Sequence, residues 1–367
     1  ATPRSVVRGG WGLYTGKFPY AVYSDAVQFG PDGNAVVTFE EGTAFPPPTL
    51  GQGPSAAEIQ ALEGGLPPRE VRRMFARGLE QPYSSQLSLG YQRQLGRAWS
   101  VSVDGVWVES RNLPRSWDLN APAYTLQPGD TLNRSPEFGD AYRPADPANT
   151  GYRRLTTTDS GGKGRYLGLQ TTLRRALVDG FSLEGSWVVS RSRNDTEDIN
   201  FNAFSGNDFE AEWADGINDR RHHVTLRGVW EPLDQLSLAG IFDFQTGTPV
   251  NRVAFFRDLD GSGPIFGNGF VGNHDRFPGV KRNAERLPNA WTLNGSVAWT
   301  PHVAGGTLAL RVEGFNLLNR TNYTGFANGI PGGGPRTQVG RPGDPMVFTT
   351  AAPPRQVQLS ARWAFGG

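Results

Sequence analysis

The string Asp258-Leu259-Asp260-Gly261-Ser262-Gly263 puts oxygen-bearing side chains at alternate positions around a glycine turn. A loop that wraps a calcium ion begins this way, so Asp258, Asp260 and Ser262 are the expected ligands of a loop-stabilising Ca²⁺. The glutamate that closes such a loop is missing, since Gly269 stands at the twelfth position, and a plain polar turn is the commoner meaning of the same residues. A second group, Glu197, Asp198, Asp208, Glu210, Glu212, Asp215 and Asp219, is acidic enough to draw a cationic or metal-chelate ligand, although a solvated loop is again the commoner meaning. His222 and His223 are strand neighbours, point to opposite faces and cannot share one metal. The chain has four histidines and no cysteine, which excludes disulfides and thiolate sites, and no nucleophile elbow, zinc-protease or P-loop motif occurs. These residues predict no catalysis and, apart from the possible Ca²⁺, no cofactor.

The elements that would position these loops are long strands of period-two alternation. In Trp99-Ser100-Val101-Ser102-Val103-Asp104-Gly105-Val106-Trp107 one face carries Trp99, Val101, Val103 and Trp107, and the other Ser100, Ser102 and Asp104. Ten segments read this way, over 5–14, 83–95, 99–111, 165–176, 181–193, 222–231, 236–248, 290–300, 306–317 and 355–365. Ten residues rise about 33 Å and, tilted by about 40°, span about 25 Å, the height of an outer-membrane apolar band. Eight of the ten tryptophans fall on the apolar parity: Trp11 and the expected girdle residues Trp99, Trp107, Trp187, Trp230, Trp291, Trp299 and Trp363. The opposite parity carries Gln92, Gln170, Arg174, Glu184, Arg227, Asp243, Arg311 and Glu313, too polar for a packed interior.

Connections alternate in length. The short ones lie at 95–98, 177–180, 232–235 and 301–305, and each is followed by a long loop. Short periplasmic turns and long extracellular loops are the habit of outer-membrane barrels. Lys+Arg 36 against Asp+Glu 35 gives no field that would favour nucleic acid, and mean hydropathy is −0.45 with no apolar run long enough for a spanning helix. A barrel is the other structure that satisfies every backbone group in lipid. The expected fold class is therefore all-β, an antiparallel transmembrane β-barrel located in the outer membrane of a Gram-negative bacterium. Within the long loops, Asp25–Phe29 and residues 35–39 predict a small hairpin, and Ser55 caps a predicted helix over 55–63.

Near the C-terminus stands Asn316-Leu317-Leu318-Asn319-Arg320-Thr321-Asn322-Tyr323. Its Asn316, Leu317, Asn319 and Asn322 closely resemble the penultimate-strand signature of TonB-dependent outer-membrane receptors. Val6-Val7-Arg8-Gly9-Gly10-Trp11-Gly12, Asp219-Arg220-Arg221-His222-His223 and Thr246-Gly247-Thr248-Pro249-Val250 look like pieces of the Oar-like branch of that family. The last strand, with Gln358, Trp363 and Phe365, resembles the signal read by the barrel-assembly machinery, with Ser360 where glycine is usual and two glycines after the terminal Phe. The resemblance covers essentially residues 1–367 and implies the C-terminal part of a receptor barrel that is expected to have 22 strands when complete. No plug domain is identifiable in these residues. The implied partners are outer-membrane lipid, the assembly machinery, the TonB complex acting through a plug domain, and an unidentified small or peptide ligand taken up actively; no nucleic acid is implied. A passive channel and a surface adhesin or scaffold remain alternatives, and ligand-binding residues are not legible.

Overall fold

The computed structural model describes residues 4–30, 69–74, 78–124, 136–199, 201–204, 206–251, 259, 261–262, 276, 279–303, 305–327 and 345–365. All ten long strands form. They are β1 (Ser5–Thr15), β2 (Tyr83–Leu95), β3 (Trp99–Asp118), β4 (Tyr152–Val178) and β5 (Phe181–Asn194). They continue as β6 (His222–Leu233), β7 (Leu236–Gln245), β8 (Ala290–Trp299), β9 (Gly306–Phe315) and β10 (Gln356–Phe365). Each pairs antiparallel with the next in chain order, so the sheet is a plain meander. Among the described residues β1 and β10 do not pair with each other, and the sheet stays open, as a partial barrel would.

The register gives the tilt. One row of paired residues runs Leu95, Trp99, Arg175, Leu183, Gly228, Gly240, Gly295, Gly314, Val357. It leaves from the short-turn end of β2 and arrives near the long-loop end of β10. It therefore climbs about one residue per strand, and a rise of about 3.3 Å per lateral step of about 4.8 Å tilts the strands by about 35°. The same row places Gly228, Gly240, Gly295 and Gly314 side by side, and the Leu317 side chain folds over the last two.

Alternation turns this register into two continuous faces. One face carries the row Tyr91, Val103, Thr171, Trp187, Val224, Phe244, Trp291. The neighbouring row on the other face reads Gln92, Ser102, Thr172, Ser186, Thr225, Asp243, Thr292. The apolar face is not covered by protein: Leu89 is 64% exposed, Leu167 59%, Trp230 53% and Leu359 73%. Among the described residues the buried hydrophobics are Val22, Ala26, Phe201, Phe209, Val250 and Leu259, and none of these lies in the ten strands. A water-soluble sandwich of this size would bury the leucine and tryptophan rows against a second layer. An apolar area of this extent needs a cover that is not water.

The turn between β4 and β5 is an Asp-Gly hairpin with positive φ at both Asp179 (51°) and Gly180 (68°), the primed turn that matches strand twist. A Cβ at Gly180 would also sit 2.5 Å from the Glu231 carbonyl, whose own amide donates to Gly180 O at 2.6 Å.

Three features depart from the sequence reading. β3 and β4 run well past the predicted ends, to 20 and 27 residues, with a bulge at Asn112 where the pairing shifts. A further strand, Arg69–Met74, pairs in parallel with the outer part of β4. The segment Tyr20–Phe29 is a helix, α1, where Asp25–Phe29 was expected to be half of a hairpin; Val22 and Ala26, one turn apart, are its buried stripe. The other half, 35–39, and the expected 55–63 helix lie outside the described residues.

Candidate functional site

The long-loop ends of β3 to β8 converge into a cap whose interior is polar. Four groups of ions tie it together. In the first, Arg115 at the outer end of β3 donates to Asp159 Oδ2 on β4 at 2.7 Å and to Asp195 Oδ2 at 3.2 Å, and its guanidinium lies 3.8 Å from the Phe209 ring centre. Burial pushes the Asp195 carboxyl above its usual range; the Lys163 amide, donating at 2.7 Å, and the Arg115 charge oppose that shift.

The second group is centred on Glu212, which is fully buried. Its Oε1 accepts from Arg276 Nη2 at 2.7 Å and from the Phe204 amide at 2.8 Å. Arg282 donates to the Glu212 carbonyl at 2.9 Å, to Glu197 Oε1 at 2.6 Å and to Asn194 Oδ1 at 2.7 Å, above the buried Phe201 ring. Burial pulls the Arg282 guanidinium below its usual value, and Glu197 and Glu212 oppose this.

In the third group Asp215 Oδ2 accepts from Arg221 at 2.5 Å and from Arg286 at 2.9 Å, and Asp219 accepts from Arg286 and lies 3.1 Å from Arg221 Nε. Burial raises the Asp215 carboxyl, but its bonds to Arg221, Arg286 and Arg191 outweigh it and hold the group below the usual carboxylate range. The fourth group is Arg143, which donates to the carbonyls of Asn120 and Ser262, both at 2.6 Å, beside Asp118 and Asp140. Asp140 also binds Arg153, and nearby Tyr124, Phe138 and Tyr142 form a cluster with ring centres 5.0–5.1 Å apart.

This corrects the reading of the acidic stretch for four of its seven residues. Glu197, Glu212, Asp215 and Asp219 are neither solvated nor open to a cation, because arginines already neutralise them, whereas Asp208 and Glu210 are exposed as a solvated loop would have them. Of the three expected calcium ligands, Asp258 and Asp260 lie outside the described residues. Ser262 is held by its carbonyl on Arg143. Among the described residues no group of three or more His, Cys, Asp or Glu side chains is placed to hold a metal.

The family-signature asparagines stitch the outer ends of β8, β9 and β10. Asn316 (φ 49°) accepts from the Arg320 amide at 3.0 Å through its Oδ1 and donates to the carbonyls of Arg320 and Pro353. Its own amide donates to Asn294 Oδ1 on β8 at 2.8 Å. Asn319 (φ 50°) accepts from the Arg355 amide at 3.0 Å, and Asn322 makes a pair of bonds, both 3.0 Å, with the backbone of Trp291. Asparagine suits these positions: it tolerates the left-handed region, and its amide both donates and accepts. Leu317 covers the glycines below. In β10, Gln358 pairs with Glu313, and the Trp363 and Phe365 rings stack at 5.7 Å on the apolar face.

Four tryptophans, Trp99, Trp230, Trp299 and Trp363, lie toward the short-turn ends of their strands, Trp11 and Trp291 lie toward the long-loop ends, and Trp107 and Trp187 stand nearer the middle. The remaining two belong to the cap: Trp117 stacks on Phe209, and Trp213 lies between Lys163 and Arg193. The two histidines part as expected, His222 stacking on Trp187 and His223 contacting Asp243 at 2.8 Å on the polar face. That face also carries Arg8 on Asp104 at 2.6 Å and Arg227 on Glu184 at 2.7 Å. A cavity of about 420 Å³ opens beside Glu184, Arg174 and Arg227.

The outer membrane beta barrel domain family model matches residues 1–265. The chain belongs to that family. Its location is the outer membrane, and the bare face is the lipid face. No curated protein sequence matches it. Among solved structures, the outer membrane transporter YddB from Escherichia coli is similar with TM-score 0.51 and 11% identity, over 98% of this chain and 38% of that one. A variant of the ferric enterobactin receptor PfeA from Pseudomonas aeruginosa is similar with TM-score 0.49 and 14% identity, over 99% and 38%. The chain thus spans under two-fifths of the length of these proteins.

Proposed function

We propose that this chain supplies wall and outer cap to a TonB-dependent receptor of the Oar-like branch, which captures a ligand at the cell surface and takes it up actively. The observation that carries the reading is the asparagine knot. Asn316, Asn319 and Asn322, the residues of the receptor signature, each bond backbone groups at the outer ends of the last strands. The likeness to the transporter YddB supports the same reading at the level of fold. In it, the polar face lines the lumen against a plug domain, and the arginine-tied cap presents its loops to the ligand as a rigid body. Glu197, Glu212, Asp215 and Asp219 are neutralised internally, so ligand contacts fall to other side chains of the cap, such as the Tyr124–Phe138–Tyr142 cluster.

The test is uptake by cells expressing the complete gene, compared with cells lacking the gene and cells lacking TonB, with exometabolite profiles as the readout. Depletion of one solute that needs both genes supports the reading. Depletion that needs the gene but not TonB, with ohmic conductance of the purified protein in a planar bilayer, replaces it with a passive channel. A Ca²⁺ at Asp258, Asp260 and Ser262 is part of this proposal; calorimetric titration without heat, together with an unchanged thermal transition, removes it.

A further inference from the structure

A polar cluster stands on the lumen face where β6 and β7 enter the cap. His223 is the second residue of β6 and Gln245 the last of β7, and the register sets His223 opposite Gln245 and Thr225 opposite Asp243. Alternation puts all four side chains on the polar face. Thr246 fixes the strand ends just beyond them: its amide donates to the His222 carbonyl at 3.0 Å, and its hydroxyl accepts from the His222 amide at 3.1 Å. The His223 and Asp243 side chains are 41% and 31% exposed, so the cluster is open to the lumen.

Three groups converge on one nitrogen. His223 Nε2 lies 2.8 Å from Asp243 Oδ2, 3.4 Å from Thr225 Oγ1 and 3.4 Å from Gln245 Nε2. Thr225 Oγ1 is also 3.1 Å from Asp243 Oδ2, and the Gln245 amide donates to Asp243 Oδ1 at 2.9 Å. A ring nitrogen carries one proton or one lone pair, so hydrogen bonding satisfies one of the three groups. A catalytic triad would set its partners on opposite ring nitrogens, and here they share one. Donor atoms around a transition metal with bonds of about 2.1 Å stand about 3.0 Å apart in octahedral and about 3.4 Å apart in tetrahedral geometry. The separations among His223 Nε2, Asp243 Oδ2 and Thr225 Oγ1, 2.8, 3.1 and 3.4 Å, match that spacing. Turning the Gln245 amide over brings its oxygen to the same point.

The charge around the cluster favours a cation. On the same face Asp104, Glu184 and Glu313 each lie beside an arginine, Arg8, Arg227 and Arg311, at 2.6, 2.7 and 3.6 Å. Asp243 is met instead by an imidazole, which when neutral offers a lone pair. The neighbouring strands set uncharged Val188 opposite His223 and Thr292 opposite Asp243. We propose that His223 Nε2 and Asp243 Oδ2, with the Gln245 amide oxygen and the Thr225 hydroxyl beside them, bind a divalent transition metal on the lumen wall, water or a mobile ligand filling the remaining positions. The mixed nitrogen and oxygen set selects Zn²⁺, Ni²⁺ or Cu²⁺ over Ca²⁺ and Mg²⁺, which prefer oxygen throughout. The site goes beyond the uptake reading and holds for an energised receptor and a passive channel alike.

The test uses the purified full-length protein in neutral detergent, free of any affinity tag, with the metal ions alone as probes. Cu²⁺ is read by electron paramagnetic resonance, and Zn²⁺ and Ca²⁺ by calorimetric titration. The unaltered protein shows Cu²⁺ coupled to an imidazole nitrogen, and it binds Zn²⁺ with heat that Ca²⁺ does not give. His223→Gln removes that coupling, and His223→Gln and Asp243→Asn each weaken Zn²⁺ at least about tenfold, since even an outer-shell partner costs that much. Gln245→Glu, which adds a second carboxylate, tightens it. His302→Gln, in a short turn at the other end of the wall, changes nothing. A Cu²⁺ spectrum of the unaltered protein without nitrogen coupling overturns the proposal, and that arm needs no variant to fold. So does coupling that survives His223→Gln, or Ca²⁺ binding as tight as that of Zn²⁺. None of these arms measures uptake, so failure of the site leaves the transport reading to its own test.

Discussion

Arg282→Met should loosen the outer cap while leaving the wall untouched. The Arg282 side chain is 1% exposed and holds Glu197 at 2.6 Å, Asn194 Oδ1 at 2.7 Å and the Glu212 carbonyl at 2.9 Å. Methionine keeps most of the aliphatic stem over Phe201 but removes the charge. Glu197 loses its counter-ion, and Glu212, fully buried, keeps Arg276 as its one counter-ion among the described residues. Removing one partner of a buried pair costs about 3–5 kcal/mol, because the remaining charge stays out of water. In hydrogen exchange read by mass spectrometry, that cost raises opening of segments 195–221 and 279–289 by about two to three and a half orders of magnitude, since about 1.4 kcal/mol is tenfold. Exchange in β7 to β9, whose bonds lie in the membrane, stays as it was. Adding Glu197→Gln removes one orphaned charge, and the double variant recovers about 1–3 kcal/mol relative to the sum of the singles. An increase of less than about fivefold in the cap, or one that spreads evenly into the wall, would refute the view that these ion pairs hold the cap together.

Asp215, held below the ordinary carboxylate range, stabilises the cap above that range and loses this as pH falls through its depressed folded value; Asp215→Asn should flatten the acid limb of cap protection in a pH series of hydrogen exchange. Gly180→Ala must place a Cβ at φ 68° and against the Glu231 carbonyl, so the variant loses about 1–2 kcal/mol or more in urea unfolding from bilayers. Leu169→Arg, on the lipid face, costs about 2–4 kcal/mol in the same assay, whereas Gln170→Arg, one residue on and facing the lumen, costs little.

The wall was legible because a strand in lipid leaves a two-residue period whose apolar side needs no partner from elsewhere in the chain. Alternation around Trp107 or Trp187 reports its own environment, and all ten strands follow from it. The outer extensions of β3 and β4 were missed for the same reason. Residues such as Thr156, Thr157 and Thr158 pack inside a polar cap and carry no apolar side to alternate. The helix α1 was misread because Gly30-Pro31-Asp32-Gly33-Asn34 signals a hairpin turn and makes Asp25–Phe29 look like the strand before it, although the spacing of Val22 and Ala26 is helical. The cap itself was out of reach: Arg282 and Glu197 are 85 positions apart, Arg276 and Glu212 are 64 apart, and nothing local marks them as partners. An acidic run reads as solvated until the arginines that fold onto it are located. The asparagine signature was recognisable as a pattern, but its geometry, three side chains bonding backbone across three strand ends, needed the register.

The account rests on hydrocarbon covering the tryptophan-bearing face, and quenching of single tryptophans by brominated acyl chains measures this directly. Variants that keep only Trp107 or only Trp187, with phenylalanine elsewhere, are reconstituted beside one that keeps only Trp213 of the cap. The account predicts strong quenching of the first two by bromines on the lipid tails and little by iodide in the water, with the reverse for Trp213. Quenching of Trp107 and Trp187 by iodide, or by neither agent, would mean that water or protein covers that face and would contradict it.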